Sequence, residues 1–309
     1  MLTSRSTAII LLTVLGCAAF GQIRLPRGGG IKIPINDPFA KGDPITTSIK
    51  DARFEDVSKD DFHPECKNLF SLKRTPKGGF ILEAGTFGAQ VQSYCLHAGT
   101  HGPSSGDGYL FAPVKGEYRN IVTHVVQNSV DHPEIGQRDV QLLLWAIVAR
   151  EKPTDMNSHM QGVAAKLMTK DELFTLNGGA MGILEDDRFN RLIGGMPAPL
   201  RAIREAEQNL RSTFGNPNAT YEDFERIAMA GVEGRGPGSR DVPSGRWSLH
   251  PDGYWVRYIP SGYPSTRLEI YVPEGSKAVG KEFDPATQIA APADTNRQRL
   301  IQSGRLKDN

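Results

Sequence analysis

Residues 139–148, DVQLLLWAIV, decide the fold class because their apolar side chains recur with the period of an α-helix. The positions of the buried face, at i, i+3, i+4 and i+7, are Val140, Leu143, Leu144 and Ile147. Gln141 lies at the margin of this face. An apolar stripe over residues 121–130 predicts a preceding helix, which ends before His132-Pro133. The centre of the chain is therefore predicted to be helical.

Short strands are predicted on both sides of these helices. Residues 80–83 and residues 90–96, QVQSYCL, are separated by glycine-containing turns. Residues 254–259 and 267–272 alternate in residue type, and residues 260–264 join them as a hairpin connection. The sequence predicts the α+β class: a mixed helical and β domain with a C-terminal β-hairpin module.

Composition changes along the chain indicate its organisation. The expected segments, in order, are a signal peptide (1–21), a Gly/Pro-rich arm (22–49), an α+β domain (50–230), a linker (231–245), a β-hairpin module (246–280) and a polar, peripheral tail (281–309). Further helices are predicted over residues 160–168, 186–193, 200–214 and 221–227. A Gly-rich loop is predicted over residues 97–116, and loops of this length are usually functional.

The N-terminus has the pattern of a cleavable secretory signal. Arg5 supplies a positive charge, an apolar run follows over residues 8–20, and cleavage after Gly21 makes Gln22 the mature N-terminus. Lipidation of Cys17 is an alternative processing route that would anchor the protein. Both routes predict a secreted or cell-envelope protein, and no stretch is long and apolar enough for a transmembrane segment.

Charge and composition exclude some partners. The chain has 36 Lys and Arg against 35 Asp and Glu, so there is no electrostatic basis for nucleic-acid binding. A hydrophobic fraction of 39% is typical of a globular protein. The expected partner is a protein or glycan surface, and no cofactor or metal is expected.

The cysteines left after signal cleavage are Cys66 and Cys95. In an exported chain, one interpretation is a single structural disulfide between them. The other is that one cysteine has a chemical role.

Two local motifs favour a chemical role for Cys95. Residues 94–97, Tyr-Cys-Leu-His, end a predicted strand, and residues 141–145, Gln-Leu-Leu-Leu-Trp, lie on a later helix. The pair, in this order and separated by a Gly-rich loop and a helix, resembles the bacterial surface thioester domains, which are adhesin tips of cell-wall proteins. Val140 stands where that family has threonine. The resemblance covers roughly residues 88–150.

The resemblance implies a thioester between Cys95 and a glutamine of a third motif late in the domain. Gln288 is the preferred candidate, although residues 287–292 depart from the family motif at both ends. Gln141 is implied as a hydrogen-bonding support and remains the second candidate. Tyr94 and Trp145 are expected to form an apolar wall, and His97 to donate a hydrogen bond. Such a protein attaches covalently to amines on its partner.

Two other chemistries remain open from the residues alone. A secreted cysteine hydrolase or transpeptidase would use Cys95 as nucleophile, one of His97, His101 and His124 as base, and Gln141 at the oxyanion. A metal site would use His97, His101 and Asp107, which lack a recognisable zinc spacing. A non-catalytic envelope protein with a Cys66–Cys95 disulfide is the remaining alternative.

Overall fold

The long central strand β3, Gly85–Cys95, organises the fold. Strand β7 (Ser265–Val272) pairs antiparallel with its first eight residues, and strand β10 (Leu300–Leu306) pairs antiparallel with its last five. The short strand β1 (Lys67–Asn68) runs parallel to β3 on the same edge as β10, next to the first part of β3, which β10 does not cover. The computed structural model describes residues 43–178 and 197–307.

An eight-stranded, mostly antiparallel sheet is built around β3. Its order is β4-β9-β10-β3-β7-β6-β5, where the strands not yet defined are β4 (Tyr109–Pro113), β5 (Ser248–Leu249), β6 (Trp255–Pro260) and β9 (Gln288–Pro292). The sheet curls until its two ends meet: the Phe111 backbone N–H of β4 donates to the Ser248 Oγ of β5 at 3.1 Å. Strands β2 (Phe80–Ile81) and β8 (Glu282–Phe283) form a separate pair.

Six α-helices lie within the described residues, and together with the sheet they confirm the predicted α+β class. They are α1 (Arg119–Asn128), α2 (Gln137–Ala149), α3 (Ser158–Leu167), α4 (Lys170–Leu176), α5 (Ala198–Phe214) and α6 (Tyr221–Ala228). Thr169 and Thr220 begin α4 and α6 with reciprocal capping bonds to Glu172 and Asp223.

The predicted phase of α2 is confirmed by burial. Leu143, Leu144 and Ile147 are fully buried, whereas Leu142 is half-buried. The helix ends where Arg150 adopts a left-handed conformation with φ 58°. Gln141 is 1% exposed, so the polar margin of the stripe also faces the interior.

The predicted hairpin forms, but it does not stand apart from the domain. Strands β6 and β7 pair directly, and β7 then pairs with β3 over eight residues. A separate module at 246–280 is therefore corrected to a part of the central sheet. Local alternation gives the strands of a hairpin but does not show which strand lies beside them.

The prediction of a peripheral tail after residue 280 is wrong. Strand β9 is fully buried and β10 lies between β9 and β3, at the centre of the sheet. The polar residues that suggested a tail include Gln298 and Gln302, which are both 0% exposed and make internal hydrogen bonds. Polar side chains inside a curled sheet weaken the apolar signal of a strand.

Two other expectations change. The predicted loop at 97–116 contains β4, which pairs with β9 along its whole length. The expected linker at 231–245 is irregular, but the Asn296 side chain binds the backbone carbonyls of Val232 and Gly234. The signal peptide, the arm up to residue 42 and the predicted helix at 186–193 lie outside the described residues. In the part of the chain that is described, no helix has the length and apolarity to cross a bilayer.

Candidate functional site

Cys95 is the last residue of β3, and its position on the strand fixes the direction of its backbone groups. The Leu96 N–H donates to the Arg299 carbonyl at 3.0 Å, so the polar groups of Cys95 point away from β10 and towards β7. Strand β7 begins at Ser265, which pairs with Gln92, and therefore does not extend to Cys95. The backbone of Cys95 needs other partners.

The Gln141 side chain supplies both of these partners. The Cys95 N–H donates to Gln141 Oε1 at 2.8 Å, and Gln141 Nε2 donates to the Cys95 carbonyl at 3.1 Å. One turn earlier on α2, Gln137 Nε2 donates to the carbonyls of Ser93 and Pro264. Gln137 and Gln141 are neighbours on one face of α2, as i and i+4 side chains are. Together they bond the backbone of β3 where β7 no longer pairs with it.

The Cys95 thiol is fully buried, and a cluster of aromatic rings lies one helical turn from Gln141, which holds the Cys95 backbone. Burial, and then the Glu225 carboxylate, raise the pKa of the Cys95 thiol well above its ordinary value, so the thiol is protonated at neutral pH. Trp145, one turn after Gln141, is 0% exposed, and its ring lies 5.7 Å from Tyr221 and 6.3 Å from Tyr263 between centroids. Among the described residues, Trp145 Nε1 has no hydrogen-bond partner.

A chain of hydroxyl groups leads from these rings to a carboxylate. The Tyr221 and Tyr263 hydroxyl groups are 2.8 Å apart, and the Tyr263 hydroxyl donates to Glu225 Oε1 in a short contact. Burial raises the pKa of both tyrosines, and the Cys95 sulfur adds to the shift at Tyr221. Tyr221, Tyr263 and Glu225 are half-buried, so they form the solvent side of the cluster.

The predicted disulfide between Cys66 and Cys95 is wrong. Both residues are free thiols. Cys66 lies beside Gly88, where a Cβ atom would be 3.2 Å from the Cys66 Cβ. Seven residues of extended strand separate Gly88 from Cys95, about 23 Å, and a disulfide needs Cα atoms less than about 7 Å apart.

The register does not bring Gln288 to Cys95. Leu300 lies between them, paired with Cys95 on one side and Ala290 on the other, so Gln288 is two strands away and two residues along. Two strand spacings alone are about 10 Å. The Gln288 carboxamide is bonded to the Tyr254 and Tyr258 hydroxyl groups at 2.8 and 3.0 Å. The preference for Gln288 as the acyl partner is corrected.

Tyr94 does not form a wall of the Cys95 site. Successive side chains of a strand point to opposite faces, so Tyr94 lies on the other side of the sheet. Its hydroxyl donates to Gln92 Oε1 at 2.8 Å, and burial raises the pKa of Tyr94 to about 12. Tyr94 is instead part of the hydrophobic core on the opposite face of the sheet.

The three candidate histidines are engaged elsewhere. His97 Nε2 contacts the Arg299 guanidinium, and burial together with Arg299 and Arg204 lowers the pKa of His97 well below its ordinary value. His101 bonds to the Val232 carbonyl and His124 to Glu172. None of these three histidines has a hydrogen bond to the Cys95 thiol among the described residues. A histidine of low pKa and a thiol of high pKa would also make a poor nucleophile–base pair.

The proposed metal ligands are also apart. His97 and His101 have the partners given above, and Asp107 accepts hydrogen bonds from Ser104 and faces Arg297 Nε at 3.3 Å. Within residues 43–178 and 197–307, no group of three His, Cys, Asp or Glu is arranged to hold a metal ion.

No sequence pattern marked Gln298, a fully buried glutamine two residues before Leu300, which pairs with Cys95. The Leu96–Arg299 bond continues the β3–β10 contact one residue beyond the strands. Gln298 comes just before it, and its N–H donates to the His101 carbonyl at 2.8 Å. Its Oε1 accepts from the His97 N–H at 3.3 Å, and its Nε2 donates to the carbonyls of Thr100 and Ala228. Diagonal cross-strand neighbours are roughly 7–8 Å apart between Cα atoms, within reach of long side chains.

Gln302 is the diagonal neighbour on the other side of Leu300. It pairs with Ser93 and lies on the same face as Cys95. Its Nε2 donates to the Leu300 carbonyl, while its Oε1 is buried without a partner among the described residues. Gln298 and Gln302 thus differ in whether a donor polarises the carboxamide oxygen.

Comparison of the chain with protein-family models, with curated proteins and with solved structures finds no match.

Proposed function

We propose that the chain is an exported binding protein of the cell surface or extracellular space whose Cys95 carries an acyl group and attaches covalently to an amine of a protein or glycan partner. The observation that carries this proposal is the pair of hydrogen bonds between Gln141 and the backbone of Cys95. They fix a fully buried thiol at the end of β3, and the buried Gln298 lies two residues before Leu300, the residue paired with Cys95. Export rests on the N-terminal signal pattern alone.

Gln298 is the acyl donor in this proposal. The His97 N–H bonded to its Oε1 withdraws electron density from the carboxamide carbon and would stabilise the oxyanion formed on attack. Loss of the Gln298 amino group removes a donor from the Thr100 carbonyl, whereas the Ala228 carbonyl keeps its bond from the Gly99 N–H at 2.8 Å. Gln141 is unsuited, because both hydrogen bonds of its carboxamide hold the backbone of Cys95, the residue that would attack it.

The reaction has two balanced steps. The Cys95 sulfur attacks Gln298 Cδ, the Cδ–Nε2 bond breaks, and the thiol proton leaves with the amino group as ammonia. A partner amine then attacks the same carbon, the C–S bond breaks, and an amide joins Gln298 to the partner while Cys95 regains a proton. Burial of the sulfur keeps water from competing with the amine.

Intact mass of the unreduced, exported protein tests the proposal. We expect a mass one ammonia below that of the sequence from Gln22, and an adduct of one methylamine after incubation with that amine. An N-terminal glutamine also loses ammonia by cyclisation, so the assignment depends on Cys95→Ala, which should restore one ammonia and abolish the adduct. A wild-type protein with the same mass deficit as Cys95→Ala, and without the adduct, would contradict the proposal.

Two variants identify the glutamine. Gln298→Ala should restore the ammonia and abolish the adduct, whereas the matched variant Gln302→Ala should retain both. The reverse result would assign the acyl group to Gln302. Retention of the adduct in both variants would exclude the two diagonal neighbours of Cys95.

A non-catalytic binding protein is the second candidate. The raised pKa and complete burial of the Cys95 thiol are also what an inert core cysteine shows. In that case the mature protein has its full mass apart from N-terminal cyclisation, and denaturation exposes a thiol at Cys95 without prior treatment with an amine.

A further inference from the structure

The Glu225 carboxylate has an unusual position for a group that only supports the fold. It is half-buried, and none of the described cations forms an ion pair with it. The nearby arginines are paired with other residues: Arg138 with Glu222, and Arg226 with Asp223. Ala228, three residues after Glu225 on α6, accepts from Gln298 Nε2, so this end of the helix lies at the proposed acyl donor. The Glu225 charge also raises the pKa of the Cys95 thiol and so does not promote the thiolate. A carboxylate at this place therefore favours a cation that arrives from outside.

The hydroxyl chain fixes this carboxylate. Tyr221 and Glu225 are four residues apart on α6, so they lie on the same face of the helix. Tyr263, in the connection between β6 and β7, donates to Glu225 Oε1 and is bonded to the Tyr221 hydroxyl. Because burial raises the pKa of both tyrosines, they stay protonated, and the carboxylate is the proton acceptor of the cluster.

We propose that Glu225 is a catalytic residue for the amine-transfer step: it binds the partner's ammonium group at the solvent side of the Cys95 site and takes its first proton. This inference rests on the proposed function. Its new content is a residue that selects a cationic amine over an uncharged nucleophile and over water.

The proton balance of the step is complete. The ammonium gives one proton to Glu225, and the neutral amine forms a C–N bond to the Gln298 acyl carbon. The C–S bond breaks, the sulfur leaves as a thiolate, and it takes the second proton from the amine nitrogen. Glu225 then releases its proton to solvent, and Tyr263 keeps its hydrogen bond to the carboxylate throughout.

The test compares Glu225→Gln with wild type and with Glu222→Gln. The amide of Glu225→Gln still accepts a bond from Tyr263, so the fold and the ammonia deficit assigned to Cys95 should be retained. Glu222 lies on the same helix, is exposed and pairs with Arg138, so it is a matched control for lost charge. Each protein is incubated with methylamine, which is cationic at neutral pH, or with hydroxylamine, which is uncharged, and adducts are followed by mass.

We expect Glu225→Gln to slow the methylamine reaction on the order of a hundredfold, the usual contribution of a general base. The hydroxylamine rate should stay within about twofold, and Glu222→Gln should behave like wild type for both nucleophiles. A normal deficit with an unchanged methylamine rate would overturn this role for Glu225 alone. A wild-type protein with no Cys95-dependent deficit would overturn the proposed function and the role together. Loss of the deficit in Glu225→Gln would assign Glu225 to thioester formation instead.

Discussion

The two ends of β3 satisfy their backbone in different ways. From Gly85 to Gln92, every residue of the strand pairs with β7 on one side, and on the other side β1 pairs at Phe87 and Gly88 and β10 at Val91. At Cys95 the β7 edge is replaced by side chains of α2. The first arrangement depends on main-chain pairing and tolerates many side chains, whereas the second depends on the identity of single glutamines.

The two cysteines follow this division. Cys66 precedes β1, near the part of β3 that pairs with both β1 and β7. It is half-buried, with its sulfur 3.7 Å from the Pro64 carbonyl. Cys95 is fully buried at the end that α2 completes. Where side chains hold the backbone, mutation of one of those side chains changes the local geometry. The backbone of Cys95 is held in this way by Gln141.

The largest effect is expected where α2 is fixed in the core. Leu144→Ala removes a fully buried side chain and should lower the free energy of unfolding by about 2–5 kcal/mol. Leu142→Ala, at a half-buried position on the same helix, should cost about 1 kcal/mol or less. Urea unfolding monitored by circular dichroism measures both. A larger loss for Leu142→Ala would mean that α2 is rotated and that Gln141 does not face β3.

A slightly smaller effect is expected at the junction itself. Gln141→Ala leaves the buried N–H and C=O of Cys95 without partners and should destabilise the protein by about 3 kcal/mol. Gln137→Ala should cost about 1 kcal/mol, because its two acceptors are carbonyls and no N–H loses its partner. Hydrogen exchange of the Cys95 amide reports the same change locally. Equal costs for the two variants would remove the distinction drawn between the ends of β3.

The helical layer could be predicted from the sequence because its information is local. The 3.6-residue period of residues 139–148 gives both the helix and the buried face of α2, and capping residues mark α6. The hairpin of β6 and β7 was likewise found from alternation. The link between Cys95 and Gln141 was implied by a resemblance, and the structure brings the two residues together.

The C-terminal strands and the proposed acyl donor could not be predicted in this way. Strand β10 contains polar residues at interior positions, such as Gln302 and Ser303, and these interrupt the apolar alternation by which a strand is predicted. Gln298 accepts from the His97 N–H, 201 residues earlier in the chain, and no local pattern encodes such a contact. A search for glutamines opposite the Cys95 strand, rather than for a motif, would have found it.

The far end of α2 offers a pH test of intermediate size. Glu151 follows the helix and is 8% exposed, and burial together with Asp155 raises the pKa of Glu151 to about 7. The folded state therefore holds a proton that the unfolded state loses above its ordinary pKa of 4.5. Stability from this group is present below that value, falls as the pH rises to about 7, and remains lost above it.

Glu151→Gln removes this dependence. We expect the variant to be more stable than wild type by about 1 kcal/mol at pH 8 and to differ little near pH 4.5. The value at pH 8 is smaller than the pKa shift alone would give, because solvent screens part of the charge. Chemical unfolding of both proteins across this range gives the difference directly. An advantage for Glu151→Gln that is the same at both pH values would show that proton linkage is not its cause.

The smallest change in stability is expected at Cys66, where it sharpens the contrast between the two thiols. Cys66→Ser should alter the free energy of unfolding by less than about 0.5 kcal/mol, because the side chain is half-buried and its sulfur makes only a weak contact.

Burial raises the pKa of the Cys66 thiol, so labelling with a thiol reagent should be slower than for a free cysteine. In folded wild type we expect one label, at Cys66, and in folded Cys66→Ser none on the timescale of that reaction. Labelling at Cys95 requires the α2 junction to open, which should make it more than about a hundredfold slower. Rapid labelling at Cys95 in folded Cys66→Ser would mean that the Cys95 end of β3 is as accessible as Cys66. Cys95 would then be neither a buried thiol nor the carrier of a protected acyl group.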